Sequence, residues 1–155
     1  MSHQFLNKED GSWIYVLMDG ENINKFKVGR TIQHPVKRFK DIRSGNTTLA
    51  IQVAYFVPAS LNINLGELES DIHRELSAGL GRICFYDEAE SEWFHGDARD
   101  AWLQLDIIFE EFGFTVTDYY QPGETKIVRF WGADMETEYP RRFDLYNSDN
   151  DEIDF

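Results

Sequence analysis

The chain opens its patterned region with Trp13-Ile14-Tyr15-Val16-Leu17, an apolar run rich in β-branched and aromatic side chains. Such a run predicts a strand buried on both faces. Asp19-Gly20 marks a turn, and residues 26–30 supply the returning strand, so a hairpin is expected with a loop longer than the commonest two residues. Pro35 suits the first turn of a helix, since it has no amide hydrogen to lose there and its φ is already helical. Val36, Phe39, Lys40 and Ile42 continue that helix, and Ser44-Gly45-Asn46 stops it. Residues 51–57 form another strand, ended by Pro58. Asn64 caps the best-defined helix, which places Leu65, Leu68, Ile72, Leu76 and Leu80 on one face, with Glu67 as the capping-box partner.

Gly79 and Gly81 end this helix, and residues 82–86 predict a short edge strand. Asp97 caps a third helix, in which Ala98, Ala101, Trp102, Leu105, Ile108, Phe109 and Phe112 recur at helical spacing before Gly113. Beyond Gly113 the pattern changes. Residues 114–120 and 126–131 predict an added hairpin across Gln121-Pro122-Gly123, and acids then dominate without periodicity. Three regions are therefore expected: a domain over 1–113, an extension over 114–146, and a solvated acidic tail over 147–155.

Composition supports one folded domain. Of 155 residues, 42% are hydrophobic, with 12 Phe, 7 Tyr and 4 Trp, enough for a core. No apolar stretch approaches the roughly 20 residues that cross a bilayer, and residues 1–5 lack the basic head and apolar run of a secretory signal. Cys84 has no second cysteine to pair with, which fits a reducing compartment. A cytoplasmic protein of bacterial or phage-infected cells, with no membrane partner, is the expectation.

Net charge changes the picture more. The total of -13 counts against nucleic acid, because phosphate binding is driven by cations that displace counterions. By position, however, residues 1–60 sum to +3, residues 61–105 to -7 and residues 106–155 to -9. Within residues 25–43 of that block, Lys25, Lys27, Arg30, Lys37, Arg38, Lys40 and Arg43 are opposed only by Asp41, a local excess of +6. Any DNA contact is expected on that face, weak and sensitive to salt.

Three groups of residues can carry chemistry. Lys27 and Arg30 on a strand, with Lys37, Arg38 and Lys40 on the next helix, can form one concave basic surface for a phosphodiester. Glu69 and His73, four apart on a helix, can together meet a divalent metal and a proton. Tyr15 lies mid-strand among apolar neighbours. Each has a plainer reading: a solvated helix face, a Glu–His surface pair, a core tyrosine with one hydrogen-bond partner.

In order and spacing these residues resemble the GIY-YIG nuclease superfamily, in its phage-associated branch whose second motif reads Lys-Ile-Gly-Lys/Arg-Thr. Trp13-Ile14-Tyr15 stands for Gly-Ile-Tyr, and Lys27-Val28-Gly29-Arg30-Thr31 for the second motif. Pro35 and Arg38 match the arginine-bearing helix, and Leu68-Glu69 with Ile72-His73 the glutamate-bearing one. Arg82 with Glu92-Trp93-Phe94 resembles a closing element. The resemblance covers about residues 13–112. Trp13 for glycine, and the acids around Asp87, Glu88, Glu90 and Glu92, depart from the pattern.

The resemblance implies an α/β protein of the α+β kind: a small, central, mainly antiparallel three-stranded sheet flanked by helices, here with a C-terminal β extension. It implies a one-metal endonuclease acting on DNA. Tyr15 would be the general base, its hydroxyl made more acidic by nearby cations or the metal. Arg38 would clamp the scissile phosphate, and Glu69 would hold one Mg²⁺ or Mn²⁺ ion. Lys27 would contact phosphate or depress the Tyr15 pKa, and His73 would relay a proton or orient water. Arg30, Lys37, Lys40 and Arg43 would grip the DNA backbone. The alternative is an inert relative that uses its acidic surface to mimic DNA or bind a protein. The tail, closing Asp149-Asn150-Asp151-Glu152-Ile153-Asp154-Phe155, resembles acidic tips that dock protein partners; it can equally fold back on the basic patch or serve as a solubilising end.

Overall fold

The apolar run at 13–17 becomes the middle of the sheet. The computed structural model describes residues 11–32, 34–43, 48–84, 90–118, 126–133 and 135, with the backbone alone at 40–43 and 90. In chain order the elements are β1 (Gly11–Asp19), β2 (Asn22–Thr31), α1 (Pro35–Arg43), β3 (Leu49–Pro58), α2 (Leu65–Gly79), β4 (Arg82–Cys84), β5 (Glu90–His95), α3 (Ala98–Glu111), β6 (Val116–Asp118) and β7 (Ile127–Trp131). The fold is mixed α+β. All seven strands lie in one sheet, ordered β4-β5-β2-β1-β3-β7-β6 and antiparallel except for β6 with β7. The three-stranded sheet expected from the resemblance is thus too small: β1, β2 and β3 are its centre, and two strands extend it on each side.

Alternation along β1 divides the core in two. Ile14, Val16 and Met18 face α2 and α3, packing with Phe26, Val28, Val53 and Tyr55 against Leu68, Ile72, Leu76, Leu105 and Phe109. Trp13, Tyr15 and Leu17 point to the opposite face, with Val36 and Phe39 of α1 and with Ala54, Phe56 and Phe130. Full burial of each large aliphatic or Phe side chain contributes about 1.5–3 kcal/mol, so a strand buried on both faces is the natural centre. On β3 the register shifts between Val53, opposite Val16, and Ile51, opposite Leu17. Gln52 is the extra residue, and this bulge brings Ile51 onto the α1 face beside Ala54.

Asn64 and Asp97 cap the helices as expected, the first through one half of the capping box. Asn64 Oδ1 accepts from the Glu67 amide at 3.1 Å at the start of α2, and Asp97 with Asp100 forms a two-way capping box on α3. Two loop readings are corrected. The β1–β2 hairpin turns through Gly20 and Glu21 alone, with Asp19 paired to Asn22; the Asp19 carboxylate accepts from the Glu21 amide at 2.9 Å and the Thr48 hydroxyl at 2.6 Å, which tightens the turn. The segments expected to pair as a C-terminal hairpin instead run parallel: β7 lies between β3 and β6, antiparallel to the first and parallel to the second. Arg129 of β7 holds that arrangement. It pairs with Asp106 of α3 and with Asp118 of β6, where its Nε and a terminal nitrogen reach one carboxylate oxygen at 3.1 and 2.9 Å. Tyr55 of β3 donates to Asp106 at 2.9 Å, closing the network. The tail at 147–155 lies outside the described residues.

Candidate active site

Tyr15 is placed by its strand neighbours, Gly29 on β2 and Ala54 on β3. Both are small, and the ring leans over Gly29: a Cβ built there would stand 2.5 Å from the Tyr15 hydroxyl oxygen. The second-motif glycine is therefore a space requirement of the first-motif tyrosine. Leaning that way carries the hydroxyl toward the edge of β2, and β5 covers that edge only from Lys25 to Lys27.

Arg38 arrives from α1. His34 caps this helix: its carbonyl accepts from the Lys37 and Arg38 amides at 3.0 and 3.1 Å, and its Nδ1 accepts from the Val36 amide at 3.2 Å. The imidazole is buried against Trp13, ring centres 5.3 Å apart. Trp13 also packs on Phe56 and Phe130. The tryptophan that stands for glycine in the first motif thus seats the residue that starts the arginine helix. Arg38 itself is exposed, and its positive charge acts on the Tyr15 hydroxyl.

Glu69 and His73 come from α2, at the open edge of β2. His73 Nε2 lies 2.9 Å from the Val28 carbonyl oxygen. A carbonyl only accepts, so Nε2 carries the proton and satisfies a strand carbonyl that β5 does not reach. The His73 ring also packs on Phe94, at 5.3 Å. One turn earlier, Glu69 Oε1 accepts from Arg30 Nε at 3.0 Å, while Oε2 is 3.9 Å from His73 Nε2. The side chain of Glu69 is only 13% exposed.

Lys27 pairs with Glu92 of β5 at 3.6 Å, and Lys25 lies over the Trp93 ring at 4.7 Å and 3.9 Å from Asp19. Lys37 is half-buried on α1; the side chains of Lys40 and Arg43 lie outside the description. The basic residues are therefore divided. Arg38 acts on Tyr15 and Lys27 pairs with Glu92, whereas Arg30 turns to the edge and Glu69. Glu92 belongs to this group and is absent from the candidates read from sequence. No periodic signal marks it: Ser91 and Phe94 are buried and Glu92 is exposed, which is not a two-residue alternation.

The electrostatics run against a ready-made base. Burial raises the Tyr15 pKa, the charge and hydrogen bond of Arg38 lower it, and Glu92 and Glu69 raise it; the net direction is upward from 10.0. The cations of the protein alone do not lower it, since one guanidinium does not outweigh desolvation and two carboxylates. For a divalent ion the donor set is sparse. Among the described residues no three His, Cys, Asp or Glu side chains group together. A lone carboxylate suits Mg²⁺ or Mn²⁺ that keeps several waters and is completed by substrate phosphate; it does not suit a protein cage. Glu69 is the residue that would hold such an ion, with Arg30 giving up its contact to Oε1.

The described residues contain no helix long and apolar enough to cross a membrane. No curated protein and no solved structure matches the chain. The model of the T5orf172 domain does match, over residues 12–108, which takes in everything from β1 to most of α3, with Tyr15, Gly29, Arg38, Glu69 and Glu92 inside and β6 and β7 outside. With more than half of its length in that match, the chain belongs to the phage-associated T5orf172 domain family.

Proposed function

We propose that this protein is a metal-dependent endonuclease of GIY-YIG type that hydrolyses DNA phosphodiester bonds. The observation that supports the reading is that Arg38 from α1 and, more weakly, Glu69 from α2, elements distant in sequence from β1, both act electrostatically on the Tyr15 hydroxyl. Arg38, exposed and permanently charged, is free to grip the non-bridging oxygens of the scissile phosphate and stabilise their growing charge. Neutral Tyr15 orients the attacking water; it takes the proton only as phenolate, the form that Arg38 stabilises. Glu69 would hold a divalent ion, which would supply charge stabilisation for the leaving oxygen. Lys27 steers phosphate onto the same face, and Lys37, Lys40 and Arg43 extend the contact along α1.

Plasmid and oligonucleotide cleavage in Mg²⁺ or Mn²⁺ tests this. Arg38→Ala, Glu69→Ala and Tyr15→Phe should each lower the rate by about 100-fold or more. Cleavage that survives Glu69→Ala removes the metal role.

A second reading rests on the ion pairs. Arg30 is spent on Glu69 at 3.0 Å and Lys27 on Glu92 at 3.6 Å, so two cations of the site are neutralised from within. On that reading the protein keeps the fold without the reaction and presents its acidic surface to a basic protein partner. No cleavage of any DNA or RNA, together with tight binding to a basic protein, would select it.

A further inference from the structure

One turn beyond Glu69, α2 and β4 enclose an open cavity of about 510 Å³ lined by Ser70, His73, Arg74, Ser77, Ala78 and Arg82. Its described lining holds two arginines, an imidazole and two hydroxyls but no carboxylate, although residues 61–105 sum to -7. In a chain of net charge -13 such a lining runs against the surface as a whole. The donors are also ordered. Ser70, His73, Arg74 and Ser77 recur at three- and four-residue spacing, one stripe of α2. Arg82 is held with its guanidinium over the Phe94 ring at 5.2 Å and has further contacts of its own. Arg74 is 66% exposed, and one terminal nitrogen is bound to Asp71 at 2.7 Å, which leaves its remaining donors for a ligand. Hydroxyls beside guanidinium groups are the donors that position phosphates.

We propose that this cavity binds a backbone phosphate of the nucleic acid, a phosphodiester away from the cleaved one. The assignment rests on the nuclease reading for the identity of its ligand. Glu69 and Arg74 are about 7.5 Å apart along the helix axis, about the axial rise of two nucleotides of one strand. The strand would then run from the Tyr15 and Arg38 face, past Glu69 at the open edge of β2, onto α2. DNA contact is thereby extended beyond the basic block at 25–43, and the arginines that extend it come from the acidic part of the sequence.

The test is binding of a labelled 30-bp duplex in EDTA, titrated over salt, beside cleavage of the same duplex in Mg²⁺. Variants are Arg74→Ala, Ser77→Glu and Arg82→Lys, with Arg99→Ala on α3 as a control for net charge; thermal melting checks folding. Arg74→Ala should weaken binding and reduce the slope of log affinity against log salt by about 0.9, one phosphate contact. Ser77→Glu should weaken binding further, and Arg99→Ala should leave the slope in place. Inorganic phosphate, followed by amide shifts at Ser77, should compete only weakly; saturation at low millimolar phosphate with no variant effect on duplex binding would assign the cavity to a free anion and overturn the proposal. Equal affinity and slope in wild type, Arg74→Ala and Ser77→Glu overturns it while leaving the nuclease reading intact. A cavity-dependent slope with no cleavage supports it and removes the nuclease reading instead. A wild type that binds no duplex overturns both.

Discussion

The ring of Tyr15 occupies the space that a side chain at Gly29 would need. A Cβ at position 29 would lie 2.5 Å from the tyrosine oxygen, 2.6 Å from Cζ and 3.0 Å from Cε1. The backbone at Gly29 is not in the left-handed region, so the demand is for room and not for glycine's conformational freedom. Two motifs that are separate in sequence are one packing unit in space.

Gly29→Ala should therefore displace Tyr15, at a cost of about 1–3 kcal/mol in stability and a larger proportional loss of cleavage. Tyr15→Phe removes the atom of closest approach. The double variant should recover part of the stability and none of the activity, as read by urea unfolding beside a cleavage assay. Strictly additive costs in that cycle would show that the alanine meets atoms other than the hydroxyl, the ring carbons among them.

Alkaline pH separates folded and unfolded tyrosine. Burial raises the pKa of Tyr15, and of Tyr55 even more strongly, above 10.0. Below pH of about 10 both residues are protonated in both states and stability does not change on their account. Above it the unfolded chain releases protons that the folded chain retains, so stability falls as pH rises. Urea midpoints from pH 8 upward should show that decline, and Tyr15→Phe should make it shallower. Arg38→Ala removes the group that lowers the Tyr15 pKa, so phenolate absorbance should appear at still higher pH; an unchanged or lower titration would mean that Arg38 does not face the hydroxyl.

Glu92 is the carboxylate that sits where phosphate would arrive. Glu92→Gln frees Lys27 and withdraws one of the charges that raise the Tyr15 pKa. Duplex affinity should improve by about 2- to 5-fold at low salt, since an exposed pair is worth up to about 1 kcal/mol, and the gain should fade as salt screens it. Weaker binding in the glutamine variant would give Glu92 an active part in recognition.

His73 is tied to a backbone carbonyl of β2. His73→Ala leaves the Val28 oxygen without that donor and should cost about 1–3 kcal/mol. His73→Gln, with an amide nitrogen near the position of Nε2, should restore much of it. Affinity for Mg²⁺, followed by calorimetry, should not change in either variant if His73 positions α2 against β2 and does not ligate the ion. A fall in affinity as large as that of Glu69→Ala would make it a ligand.

Local pattern carried a good part of this architecture. The β-branched and aromatic run at 13–17 could only be a doubly buried strand, and the three- and four-residue spacing from Leu65 to Leu80, with Asn64 in front, could only bury its face as a helix. Pro35 and Asp97 marked two further helix starts for reasons confined to one turn of backbone. Tyr15, Arg38 and Glu69 were legible as candidates through the order of their motifs. What depends on contacts between distant segments was decided by the tertiary structure alone. The strand from Glu90 to His95 is too short and too polar to announce itself, yet its pairing with β2 brings Glu92 to the site. β6 and β7 run parallel, and Arg129 there meets carboxylates from α3 and β6, contacts that no turn sequence records. The direction of the Tyr15 pKa belongs to the same class: local reading counted the cations around it, but the sign is set by how much water the packed sheet excludes and by two glutamates brought in from α2 and β5.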